Sequence, residues 1–447
     1  MRGRKWVENG IARKIDLSGE KIGVWYHWKV RKKEINRPHI TITVKCSHHY
    51  LHYSNFSNIY LLKKAVITME IYVVKSGDNV DSIAGAYGVS VESIIYDNQL
   101  VYPYPLAVGQ ALLIDTGGIR ENRREAVIRG FAYPFISNYV LEQSLPSLSG
   151  MAGFSYGFTR EGEVIYPPID DGFMIEASYN YNAAPILTLT PFDETGMFNN
   201  NLISDVIQNE DIVEVLLDNL LEIMNEKGFL GLDIDFEYIK AEDREAFVRF
   251  VERATEKMNE QGFTVSVDLA PKTSADQPRL LYEGKDYEAL GRVANSVLVM
   301  TYEWGYTYSE PMAVAPVDKI RRVLDYAVTA IPSEKINMGI PNYGYDWALP
   351  YEKDVTKAET IGNAQAVQIA VENNAEILFD EVGQTPYFRY TKDGVDHEVW
   401  FEDARSIKAK IELLYEYNLR GASFWQIMRL FRANWLLVDY NLKVDKL

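Results

Sequence analysis

The residues of this chain best suited to chemistry are three acidic side chains at alternate positions of one apolar segment: Asp233, Asp235 and Glu237 in Gly231-Leu-Asp-Ile-Asp-Phe-Glu-Tyr. A strand turns successive side chains to opposite faces, so the three carboxyls share one face while Leu232, Ile234 and Phe236 share the other. At about 3.3 Å of rise per residue, successive carboxylates stand roughly 6 to 7 Å apart along the strand. Crowding in low dielectric raises at least one of their pKa values, because a neighbouring negative charge disfavours ionisation. A carboxyl that stays protonated near neutral pH is a general acid. Glu237, last of the three, is expected to emerge where the strand ends.

Buried parallel strands are normally unbroken apolar runs, and the elements around this acidic interruption have that character. Strand-like runs recur near 126–132, 150–156, 185–189, 231–237, 264–269, 296–302, 335–341 and 421–425. Helical spacing separates them, with Leu216, Leu220 and Ile223 on one face at 212–227 and Phe247, Val251 and Met258 on one face at 244–259. Eight strands alternating with helices predict an α/β fold, a closed (β/α)8 TIM barrel with the acidic strand fourth and its inner face toward the barrel interior. Glu237 then lies at the C-terminal mouth, where such barrels keep their chemistry. A barrel takes about 250 residues, so 124–447 leaves room for a small α+β insertion at about 348–401, with a helix near 361–371 and two aromatic strands turned by Lys392-Asp-Gly.

The acidic strand resembles glycoside hydrolase family 18, whose fourth strand reads Asp-x-x-Asp-x-Asp-x-Glu; Leu230 takes the place of the first aspartate here. Met300-Thr-Tyr302-Glu-Trp resembles that family's sixth-strand motif, with Glu303 where chitinases usually have aspartate. Gly421-Ala-Ser-Phe-Trp425 resembles its eighth-strand motif. The resemblance implies that Glu237 protonates the glycosidic oxygen, and that Asp235, supported by Asp233, orients a substrate 2-acetamido group to attack the anomeric carbon. It further implies that Tyr302 contacts the acetamide and Trp425 floors the −1 sugar site. Glu303, Trp304 and Tyr343 are candidate substrate contacts. No metal site and no cofactor are expected.

Upstream, residues 69–116 read as strand, helix, helix, strand. Val80, Ile83, Ala84 and Tyr87 form one helical face, Gly88 stops that helix, and Ser90 caps the next. This βααβ segment resembles a LysM module, a binder of N-acetylglucosamine polymers. The resemblance places a sugar groove between the loop of Gly77, Asp78 and Asn79 and the loop from Asn98 to Leu106. Together the two resemblances imply a glycosidase cleaving β-1,4 bonds at N-acetylglucosamine in peptidoglycan, as do the spore-cortex and cell-wall glucosaminidases of spore-forming bacteria. A chitinase and a non-hydrolytic lectin are the alternatives, and retention of Glu237 argues against the lectin.

Composition bounds the rest. The 447 residues are 47% hydrophobic and 24% charged, with a formal charge of −17 that disfavours a nucleic-acid partner. A single cysteine, Cys46, excludes an internal disulfide and any multi-cysteine metal site. Residues 1–68 carry 14 Lys or Arg against 4 Asp or Glu, a balance of +10 that leaves −27 for residues 69–447. This basic segment has neither a membrane span nor a standard signal peptide. The expectation is that Met69 is the natural start and that 1–68 is not native, set against a genuine basic tail. Synthesis in the cytoplasm, deposition at the spore or cell wall, no membrane partner and a monomeric state complete the expectations.

Overall fold

The computed structural model describes residues 69–447; upstream of them it describes only the backbone of short antiparallel strands, Arg13–Lys14 with Gly23–Val24 and Ile42–Cys46 with His49–Tyr53. The origin expected for residues 1–68 lies outside the described residues.

In the small module, strand Met69–Val73 pairs antiparallel with Ala111–Asp115 around helices Val80–Tyr87 and Val91–Asp97. Asn79 caps the first helix in a reciprocal box with Ser82, and Gly88, at φ 69°, ends it in the left-handed conformation. Val80, Ile83, Ala84, Ile94, Leu112 and Ile114 form the module's core. Tyr87, expected on the buried face, is partly exposed and packs edge-on against Tyr72 at 5.9 Å.

The module is bonded to the rest of the chain. Gln99 donates to Leu430 O at 3.0 Å and accepts from Arg432 N at 2.8 Å, and the Arg432 guanidinium lies 3.7 Å over the Tyr96 ring. Val108 O accepts from Ile377 N at 2.8 Å. Gly109 makes this approach feasible: its φ is +82°, and a Cβ there would stand 1.9 Å from the Ile377 carbonyl oxygen. The segment joining the module to the barrel, residues 116–123, is also pinned, with Arg120 N donating to Tyr440 O at 2.9 Å.

The barrel strands are Arg124–Ala132, Gly150–Phe158, Ala184–Leu189, Gly231–Ile234, Thr264–Leu269, Ser296–Val299, Ile336–Pro341 and Gly421–Trp425, all parallel to their neighbours. The eighth pairs with the first and the first with the second, which closes the ring. Helices Glu210–Lys227 and Arg244–Glu260 bury the faces read from their periodicity, including Leu216, Leu220, Ile223, Phe247, Val251 and Met258. The fourth and sixth strands stop earlier than expected, at Ile234 and Val299, so the residues that follow are free of the ladder at the C-terminal mouth.

The insertion begins at Gly344, just past the seventh strand. Its five antiparallel strands run in the order Glu359–Ile361, Gly344–Ala348, Val395–Trp400, Thr385–Lys392 and Leu378–Asp380, with helix Asn363–Glu372. Asp393 and Gly394 both have positive φ, 53° and 79°, as a two-residue hairpin turn of this hand requires. His397 is partly buried: its Nδ1 lies 2.8 Å from Asp346 Oδ1 and its ring stacks on Tyr390.

Candidate active site

The fourth strand carries its acids inward. Asp233 and Asp235 are buried, and Glu237 reaches solvent at the mouth. Below them, Arg129 of the first strand crosses the barrel interior, donating to Ser266 Oγ at 2.8 Å and Ser296 Oγ at 3.4 Å and standing 3.9 Å from Asp233 Oδ1. Ser266 donates to the same aspartate oxygen. The barrel floor is thus a polar lattice joining strands one, four, five and six.

A fourth carboxyl belongs to this cluster and was missed in the sequence: Asp268, buried on the fifth strand, lies within electrostatic reach of Asp233 and Asp235. Burial, and then the charges of Asp233 and Asp235, push Asp268 well above its ordinary value. The signal was present: Thr264, Ser266 and Asp268 are polar at alternate positions, the same period that exposed the fourth strand.

Lys285 was also missed. Its fully buried ammonium donates to Phe236 O at 2.5 Å and Asp268 O at 2.8 Å, at the mouth ends of strands four and five. Burial lowers its pKa to about 8, against the opposing pull of Asp235, Asp268 and Glu237. No periodicity marks a lysine on a loop.

Burial is the leading cause of every carboxylate shift here, ahead of the mutual repulsion expected from spacing alone. Asp235 rises well above the usual range through burial, then through Glu237 and Asp233. Glu237 is raised by desolvation within the cleft walls, opposed by Lys285, although part of its side chain touches solvent. Asp233 rises less freely because Arg129 and Ser266 oppose its burial.

Aromatic residues wall the site. Tyr302, just past the sixth strand, is pushed up by burial and then by Asp268, Asp235 and Glu237, which puts its hydroxyl in their field. Its ring passes over Gly339, where an added Cβ would lie 2.6 Å from Tyr302 Cε1. Trp425, at the end of the eighth strand, meets Phe154 at 4.8 Å, Phe131 at 5.7 Å and Tyr133 at 6.2 Å, edge to face. Tyr133 and Phe154 had no sequence motif to flag them. Glu303, at φ 66°, accepts hydrogen bonds from Tyr343 and Tyr345, and Trp304 packs partly buried beside it. Tyr343 is therefore a buried support for Glu303 and not an open cleft wall.

The module's groove residues have local duties. Asp78 accepts from Tyr72 Oη at 2.6 Å and Lys75 N at 2.8 Å, Asn79 caps its helix, and Gly77 turns at φ 89°. Asn98 donates to Ile94 O and Leu113 O and accepts from Leu113 N, a brace between helix and strand, while Leu106 packs on the core. The exposed residues of this loop are Val101, Tyr102, Pro103 and Pro105, with Tyr102 79% exposed.

Comparison with known proteins bears on this geometry. The family model described as glycosyl hydrolases family 18 matches residues 196–429, and the LysM domain model matches 72–115. The cortical fragment-lytic enzyme of Bacillus subtilis is 35% identical over 430 residues, covering 85% of this chain and 99% of that protein. The crystal structure of the Bacillus cereus spore cortex-lytic enzyme SleL superposes with a TM-score of 0.81 at 30% identity, covering 85% of this chain and 99% of that one. A chitinase from Chromobacterium violaceum superposes with a TM-score of 0.66 at 25% identity over 71% of this chain and 98% of its own. The chain is a glycosyl hydrolase of family 18 that carries a LysM domain ahead of its barrel.

Proposed function

We propose that this glycosidase hydrolyses β-1,4 bonds at N-acetylglucosamine residues of peptidoglycan, with spore-cortex fragments as its substrate, and so acts at the spore or cell wall. The observation that carries the reading is the column of Asp233, Asp235 and Glu237 ending at a mouth walled by Tyr302 and Trp425. Two relatives similar over 85% of the chain, named for cortical fragments and spore cortex, support the substrate class.

In this mechanism Glu237, raised by desolvation, gives its proton to the glycosidic oxygen as the bond to the anomeric carbon breaks. The substrate's acetamide oxygen attacks that carbon from the opposite face, so no enzyme nucleophile is needed, and a cyclic oxazolinium forms. Asp235 aligns the acetamide and stabilises the positive charge, with Asp233 behind it. Tyr302 holds the acetamide oxygen, and Trp425 lies flat beneath the sugar's C–H face. Water then opens the ring, returning its proton to Glu237, and configuration is retained. The LysM domain supports attachment to the same polymer through its backbone and the exposed Val101 and Tyr102.

The test incubates wild-type protein and Glu237→Gln with cortex muropeptides and with chitooligosaccharides, and identifies products by mass spectrometry. Wild-type cleavage of muropeptides at N-acetylglucosamine, lost in the variant, supports the reading. Cleavage of chitooligosaccharides alone reassigns the enzyme as a chitinase, and binding without cleavage of either makes it a lectin.

A further inference from the structure

The reaction uses three acids of the fourth strand, yet four carboxyls meet there: Asp233, Asp235, Asp268 and Glu237. Two buried cations face them from other elements. Arg129 sits below, near Asp233, within the barrel lattice. Lys285 sits at the mouth, brought in by the loop before helix Tyr287–Val293. Its Nζ lies 5.0 Å from the Phe247 ring centroid, and its own carbonyl accepts from Lys272 Nζ at 2.9 Å, so the residue is held at both ends.

The two carbonyls it binds belong to Phe236, directly before Glu237, and to Asp268. Strand pairing between strands four and five ends at Ile234 with Val267, so Lys285 bridges the two chains where the ladder no longer does. An ammonium held on carbonyl dipoles and charged at neutral pH acts strongly on its neighbours in a medium of low dielectric. Those neighbours are Asp235, Asp268 and Glu237, with Tyr302, Tyr133 and Glu303 around them.

We propose that Lys285 is a positioning residue of the hydrolysis: pinned on the carbonyl oxygens of Phe236 and Asp268, it fixes the backbone that presents Glu237 and supplies the positive charge that lets Asp235 ionise beside it. The inference rests on the assignment of Glu237 and Asp235 given above. Substrate alignment needs Asp235 charged and protonation needs Glu237 uncharged, and a nearby cation moves both titrations to lower pH.

The experiment measures kcat/KM on cortex muropeptides from pH 4 to 9 for wild type, Lys285→Met, Lys285→Gln, Lys285→Arg and Glu237→Gln, each checked for fold by circular dichroism. The neutral variants are expected to lose about tenfold or more in kcat and to shift both limbs of the profile upward by about half a pH unit or more, as loss of one neighbouring charge does. Lys285→Arg keeps the limbs near wild type even where its rate falls. A folded neutral variant with unmoved limbs, or an arginine variant shifted as far as methionine, overturns the proposal. Where both neutral variants fail to fold, the arginine variant decides: limbs near wild type support the proposal, and limbs displaced by about half a pH unit or more overturn it. A Glu237→Gln protein with wild-type rate defeats the site assignment instead.

Discussion

Gly109→Ala tests how firmly the LysM domain is fixed to the catalytic body. The added Cβ would lie 1.9 Å from the Ile377 carbonyl oxygen, where ordinary contact begins at 3.4 Å, so the two chains must part by about 1.5 Å. A left-handed φ on alanine costs roughly 1 to 2 kcal/mol. Separation also weakens the 2.8 Å bond from Ile377 N to Val108 O and the 3.2 Å bond from Arg405 to Gly109 O, about 1 kcal/mol each. The contact should therefore loosen by about 2 to 4 kcal/mol, a factor of roughly 30 or more in its opening equilibrium. Hydrogen-exchange mass spectrometry across residues 374–380 reads this directly, because the Ile377 amide is one of the bonds lost. Gly85→Ala is the control, since a Cβ there meets nothing within 4 Å. Hydrolysis of soluble fragments should stay near wild type while release from intact polymer falls. Unchanged exchange at Ile377 would refute the reasoning.

Asp268→Asn should raise the melting temperature near pH 7. The folded state holds the Asp268 proton more tightly than the ordinary value of 3.8, so the stability this group contributes is present below that value and is lost as pH rises. The variant's advantage should accordingly close toward pH 4, and melts across that range check the sign. Lys410→Met strands Glu402, its fully buried partner at 2.7 Å, and should cost about 3 to 5 kcal/mol in denaturant unfolding; Lys410→Met with Glu402→Leu should recover most of it. Trp425→Ala removes the apolar face beneath the sugar and should lower kcat/KM by about 10- to 100-fold, with Trp425→Phe in between. Wild-type kinetics in the alanine variant would remove Trp425 from the site.

Most of the barrel was legible because each strand is a short apolar run and each helix has its own period. The fourth strand's acids were legible for the same reason: carboxylates at alternate positions of a buried run have few explanations other than chemistry. Asp268 obeys that rule too, but one acid among Thr264 and Ser266 is a weaker pattern than three. Lys285 obeys no local rule, since its contact with Phe236 joins residues 49 apart. Asn98 illustrates a different limit of spacing. Its place in a motif pointed to sugar, whereas both ends of its amide serve the backbone. Spacing reports which residues share a face; it is silent on which of their atoms already have partners.

A domain hung on a loose linker searches a volume, and its ligand arrives at the enzyme in every orientation. Here Gln99, Gly109 and Arg432 remove that freedom. The loss of reach is matched by a gain in direction, because a module bonded in this way keeps one orientation to the barrel instead of sampling many.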